Sequence, residues 1–381
     1  MTDTVPVPLP PLWWQAVEWL RAQADGGTGP VWVGEAGFLL PTGAEAGPDH
    51  ATDVADWLLH RRFPGAHPAF LPFAVDGAGN QFCFRFAPGG GPPSVVYWMY
   101  ETFAALPISG SFAGFLDWLG LTTAFAARQG LHAVLDELHL QEVVLPTLEA
   151  LGRTVRYPRF FEASGVRLGD LHRAIVEVDP GAAASHLVLG VLAGDAGSLP
   201  TAVERCDRAL ALVPDFVLAA SVRGDLRRDE SLWRAHDDWL LAFRGFHGLG
   251  GDGQMPWYGG VLPPHDISRL AELLSAGPDV GERSLGEPLW ELILYDDPTQ
   301  PEPWLRTAME HIEHGELRAA VDMAVNALYF GCHDRLAPEI ANLLAELHDA
   351  LDNPWLARAA RMDAERLAQR RPIGEDGPRQ P

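Results

Sequence analysis

The chain contains no lysine: its 28 basic residues are all arginine, set against 51 aspartates and glutamates. The resulting net charge of -23 argues against nucleic-acid binding, because phosphate contacts need a basic surface. Cysteine is scarce as well. Cys83, Cys206 and Cys332 lie far apart with no C-x-x-C pair, which excludes a disulfide framework and a paired-cysteine zinc cage. No uninterrupted apolar run approaches the ~20 residues a helix needs to cross a bilayer. The opening "MTDTVPVPLPPLWW" lacks the basic end and apolar stretch of a secretory signal, so no membrane attachment is expected and the cytoplasm is the expected location. No G-x-S-x-G nucleophile elbow occurs either.

What is present is a hydrophobic fraction of 47%, enough for packed cores, over 381 residues, a length that fits two or three domains. Arginine used exclusively, with abundant Ala, Gly and Pro, fits a GC-rich bacterial genome. The negative surplus suits a basic partner, whose approach an acidic field accelerates, and equally serves to keep the protein soluble.

Leu12, Trp13, Val17 and Leu20 recur near helical spacing and predict a first helix, ended by Asp25-Gly26-Gly27. "VWVGEAGFLLP" (31–41) reads as one extended segment, and "ATDVADWLLHRRF" (51–63) as a short helix. Phe82, Phe84 and Phe86 alternate with Gln81, Cys83 and Arg85, the period-two pattern of a strand with one buried face. "SVVYWMY" (94–100) predicts the next strand. Ser111 is the expected N-cap of a helix carrying Phe112, Phe115, Leu116 and Leu119 on one stripe. The first 120 residues therefore read as an α+β domain.

Helical periodicity dominates from residue 121 to 371. Leu189-Gly190, Ala202, Ala209 and Pro214 fall at tetratricopeptide spacing, and Pro180 precedes Pro214 by that repeat's 34 residues. Small residues there let two antiparallel helices approach closely, although His186, Ala193 and Cys206 replace three expected large ones. Trp304, Ala308, Ala320 and Ala327 hold the same register in a second unit, with Gly315 at its turn, and a further helical pair follows (337–351, 353–368). A Gly/Pro-rich stretch at 243–266 interrupts the period, and residues 372–381 read as a disordered tail.

Candidate chemistry is sparse. The loop "DGAGN" (76–80) precedes a strand rather than a helix and lacks a lysine, so it is no phosphate cradle. Asp76 and Asn80 alone cannot furnish a calcium loop, while Asp, Asn and Gly together suit a hairpin turn. "GLGGDGQMPWYGG" (248–260) reads as a surface loop, with Trp257 and Tyr258 as candidate contacts. "EHIEH" places His311 and His314 on one helix, but HxxH without a second cluster is a weak metal signal, and a solvated helix face is the plainer reading. The consecutive "CHD" (332–334) cannot converge as a triad. Neither a catalytic residue nor a cofactor or metal is expected.

The set "FAVDGAGNQFCFRF", "PPSVVYWMYE" and "SFAGFLDWL", with the upstream Asp-Gly-Gly step, resembles the SUKH superfamily, named partly after a yeast cell-wall-synthesis regulator. That resemblance implies an antiparallel sheet flanked by helices, with a ligand held on the sheet and loops. It implies a non-catalytic immunity protein that binds and neutralises a protein toxin, a basic nuclease being one such partner. Candidate partner-binding residues are Asp76, Asn80, Trp98, Tyr100 and Glu101, joined by Trp257 and Tyr258; whether Trp98 and Tyr100 face outward or into the core stays open. The competing reading is a tetratricopeptide-like scaffold that assembles other proteins on a concave surface.

Overall fold

The computed structural model describes residues 9–24, 29–41, 57–58, 70–86, 91–99, 102, 104–129, 137–153, 166–245, 261–275, 294, 296–331 and 335–369. Helix α1 (Pro11–Gln23) opens on a proline, which needs no partner for its absent N–H at that position, and buries Trp13, Val17 and Leu20. Six strands follow: β1 (Val31–Val33), β2 (Ala36–Phe38), β3 (Phe70–Val75), β4 (Gln81–Arg85), β5 (Ser94–Met99) and β6 (Ala104–Ser109). They form one antiparallel sheet in sequence order. The stretch expected as a single extended segment at 31–41 instead folds back on itself, pairing Val31 with Phe38. Gly34 permits the reversal with φ of 59°, a left-handed conformation that L side chains rarely adopt. Most of the helix expected at 51–63, and the Asp25-Gly26-Gly27 step, lie outside the described residues.

Helix α2 (Phe112–Gln129) closes the sheet on one side. Ser111 caps it as expected, its Oγ accepting from Gly114 N at 3.1 Å. Pairing places Phe84 beside Val95, and Phe82 beside Tyr97, on the face that meets α2. There Phe73 lies 4.4 Å from Phe84, and Phe82 lies 5.3 Å from Phe115 and 5.9 Å from Trp118 between ring centroids. Edge-to-face and tilted packing of this kind adds to the roughly 1.5–3 kcal/mol that each buried Phe contributes. Over β4 and β5 the opposite face is not solvated, contrary to the one-sided pattern of β4. Cys83, Val96 and Trp98 there are all at most 1% exposed. The polar alternation of β4 is satisfied from another part of the chain: Arg85 reaches Asp215 at 2.5 Å.

After α2, Glu137–His139, a π-helical Leu140–Val144 and Leu145–Ala150 run on as α3. Ten helices follow among the described residues: α4 (Leu168–Val178), α5 (Ala183–Asp195), α6 (Leu199–Leu212), α7 (Val217–Arg227), α8 (Leu232–Arg244), α9 (Ile267–Ser275), α10 (Pro301–Glu313), α11 (Leu317–Phe330), α12 (Ala337–Ala350) and α13 (Pro354–Ala368). Small residues set the pairing of α5 with α6, since a Cβ on Gly190 would sit 3.1 Å from Ala202 O and 3.3 Å from Cys206 Sγ. The same device recurs in α7 and α8, where Gly224 faces the backbone oxygen of Ala235 and the ring of Trp239. This pair escapes period reading because its second helix begins one residue sooner after the glycine. Ala308, Ala320 and Ala327 are fully buried in α10 and α11, and Ala345, Ala357 and Ala364 hold equivalent positions in α12 and α13. Most of the 243–266 interruption and all of the 372–381 tail lie outside the described residues.

Candidate functional site

The turn between β3 and β4 is organised by one carboxylate. Asp76 Oδ1 accepts from Ala78 N at 2.9 Å and Asn80 N at 2.8 Å. Its Oδ2 accepts from Asn80 Nδ2 at 2.9 Å and from the Tyr97 hydroxyl. Asn80 Nδ2 also donates to the Tyr97 oxygen at 3.0 Å. Four bonds fill a carboxylate's accepting capacity, so this aspartate is committed to shaping the turn. Burial pushes the Tyr97 phenol far above its usual range, and the adjacent Asp76 charge adds to the shift. Residues 77–79 ride exposed on this fixed frame.

Of the candidate binding residues, Asp76 and Asn80 come together here. Trp98 does not join them: its ring is fully buried and stands edge-on to Phe70 at 5.6 Å. In this conformation it presents no surface to a partner. Tyr100, Glu101, Trp257 and Tyr258 lie outside the described residues. Tyr97 is the member that sequence reasoning missed. Its signal was the pairing of β4 with β5, which sets it opposite Phe82 and on the other face from Trp98.

Elsewhere, polar clusters serve packing. Arg223 and Arg227 on α7 each bridge Asp207 on α6 and Asp238 on α8, with Arg223 Nη1 to Asp207 at 2.6 Å and Arg227 Nη1 to Asp238 at 3.0 Å. The four charges cancel and tie three successive helices together. His311 Nδ1 lies 2.7 Å from Glu316, and His314 Nδ1 lies 2.7 Å from the backbone oxygen of Glu310, so the two imidazoles finish the end of α10. Burial pushes the Cys206 thiol up to about 12, which leaves it inert as a nucleophile. Among the described residues no group of three or more His, Cys, Asp or Glu could hold a metal ion. "CHD" at 332–334 lies outside them.

A six-stranded antiparallel sheet flanked by helices, continued by antiparallel helix pairs, defines the class of this protein as α+β joined to an all-α array. Residues 18–118, a stretch that includes the sheet, match the model of the SMI1 / KNR4 family (SUKH-1). No curated protein matches the sequence. Several solved structures align with about half of the chain, two of which illustrate the likeness. One, described as the crystal structure of MamA, is 11% identical, with a TM-score of 0.19, and covers 54% of this chain and 96% of its own. The other, PilF of Pseudomonas aeruginosa, is 19% identical, with a TM-score of 0.22, and covers 52% of this chain and 81% of its own. Likeness at that score carries no argument, and the helical pairing rests on the packing described above. No described helix is long and apolar enough to cross a membrane.

Proposed function

We propose that this is a non-catalytic protein-binding protein of the immunity type, which captures a protein toxin and blocks it. The observation that carries the reading is the SUKH-1 match over residues 18–118. The net charge of -23 supports a basic partner such as a nuclease, because the long-range field raises the rate of encounter with a positively charged surface. The proposed contact region is the exposed tip at 77–79, held by Asp76, Asn80 and Tyr97, with Tyr100, Glu101, Trp257 and Tyr258 as the anchors to mutate first. The sheet part (1–120) and the helical part (121–371) act in this reading as one body within the cytoplasm. The scaffold alternative would place partners on the inner helices of the array. The experiment is co-purification of the full chain with the toxin encoded beside it. A complex formed at micromolar concentration or below supports the reading, and no interaction at that concentration removes it.

A further inference from the structure

The surface that a helical array ordinarily offers to partners is its inner row of first helices. In this chain the opening of that row, on α5 and α7, is covered, while α10 further along keeps Glu302, Arg306 and Met309 exposed. Every residue from Ala183 to Gly190 on α5 is buried, and so is every residue from Val217 to Val222 on α7. A helical stretch buried all round has no free face. The sheet's far face is covered over β4, β5 and β6 as well: Cys83, Val96, Trp98 and Ala105, on the side away from α2, are all at most 1% exposed, whereas Trp32 at the β1 edge is 43% exposed.

The two covered surfaces meet along a seam of defined chemistry. Asp179, immediately before the start of the first pair, is 7% exposed and lies against the end of β6. Its Oδ2 accepts from Ser109 Oγ at 2.6 Å and Gly110 N at 3.0 Å, and its Oδ1 accepts from Gly181 N at 3.0 Å. Three glycines make the approach possible, and none of them has a left-handed backbone. A Cβ on Gly110 would lie 2.9 Å from Gly181 Cα, and one on Gly181 would lie 2.8 Å from Gly110 Cα. A Cβ on Gly114 would collide with the Asp179 carboxylate. Further along, Arg85 binds Asp215, Phe86 stacks 4.9 Å from Trp355 of α13, and Tyr329 of α11 donates to Thr102 O at 3.4 Å. The sheet thus touches the array at its beginning, middle and end.

We infer that the opening of the helical array, at α5 and α7, is occupied by the chain's own sheet, with Asp179 as the latch at its entrance. The buried stretches of α5 and α7 are therefore not the docking surface in the resting protein. A partner reaches the outside of the joined body, or must first break the seam. The inference concerns internal occupancy and does not depend on which partner binds.

Hydrogen exchange on the full chain tests it through Gly114→Ala and Asp179→Asn. A coupled seam predicts loss of protection by about ten-fold or more in β6 and in residues 183–190 together, with α12 and α13 unchanged. Loss confined to residues 110–116 in the first variant, or to residues 179–182 in the second, overturns the inference. If Gly114→Ala loses protection everywhere, the gentler Asp179→Asn, which keeps the side chain's shape, decides the matter alone.

Discussion

Gly224 offers a sharp test of the helix pairing, because its neighbours cannot give way. A Cβ there would lie 2.5 Å from both Cδ1 and Nε1 of Trp239, and 3.1 Å from Ala235 O. The Trp239 ring is 2% exposed, and its Nε1 donates to Asp225 at 3.1 Å, so the ring is pinned from both sides. Replacing glycine by alanine within a helix is worth about 1 kcal/mol in propensity. Overpacking a tight core costs about 1–3 kcal/mol, and a rigid ring belongs at the upper end of that range. Gly224→Ala should therefore lose about 2 kcal/mol net. Gly190 is the internal control. Its closest contacts are 3.1 to 3.3 Å and require shifts of only tenths of an ångström, so Gly190→Ala should stay within about 0.5 kcal/mol of the parent. Urea melts followed by far-ultraviolet circular dichroism measure both. A Gly224→Ala protein melting at or above the parent's midpoint, or a Gly190→Ala protein that loses more, would refute the packing argument.

The turn cluster predicts that Tyr97→Phe costs about 1–2 kcal/mol, read from the same melts, by removing the Tyr97 hydroxyl donor to Asp76. In an alkaline absorbance titration the Tyr97 phenol should stay protonated past the ordinary tyrosine range, so the early part of the curve should survive Tyr97→Phe. His348 is 2% exposed, and burial holds its imidazole down to about 4 from an unperturbed 6.5. The unfolded chain takes up that proton first, so stability present above about pH 6.5 should fall as pH drops toward 4, and His348→Leu should flatten the decline. Asp322 runs the other way: burial raises its carboxyl to about 7 from 3.8, the Asp215 charge adding and Arg85 opposing. Its contribution to stability is present below about pH 3.8 and is lost as pH rises through 7. Because the side chain keeps contact with water the effect should be small, and Asp322→Asn should remove it in melts at pH 8.

Much of the sheet was legible in the sequence because its signals are local. The hairpin at 76–80 follows from Asp, Gly and Asn, whose side chains and backbones suit a tight reversal, and the Ser111 cap follows from hydroxyl chemistry. The burial of both faces was not legible. Alternation along β4 reports the phenylalanine face, whereas on the other face Arg85 finds its partner in Asp215, 130 positions away, and Trp98 packs edge-on to Phe70. The split of 31–41 into two strands turned on the backbone of Gly34, whose freedom a composition reading cannot distinguish from ordinary flexibility. The repeat at Gly224 was hidden by a one-residue change in spacing, although the packing logic matches that at Gly190. Asp179 was invisible as a latch because its three donors come from Ser109, Gly110 and Gly181, two of them far away in sequence.

The most direct measurement of the central claim is growth of cells that express the neighbouring toxin, with and without the full chain. Restored growth, lost again when the contact region is mutated and weakened in binding assays at high salt, is the result predicted. Toxicity unchanged by abundant, folded protein would contradict the account.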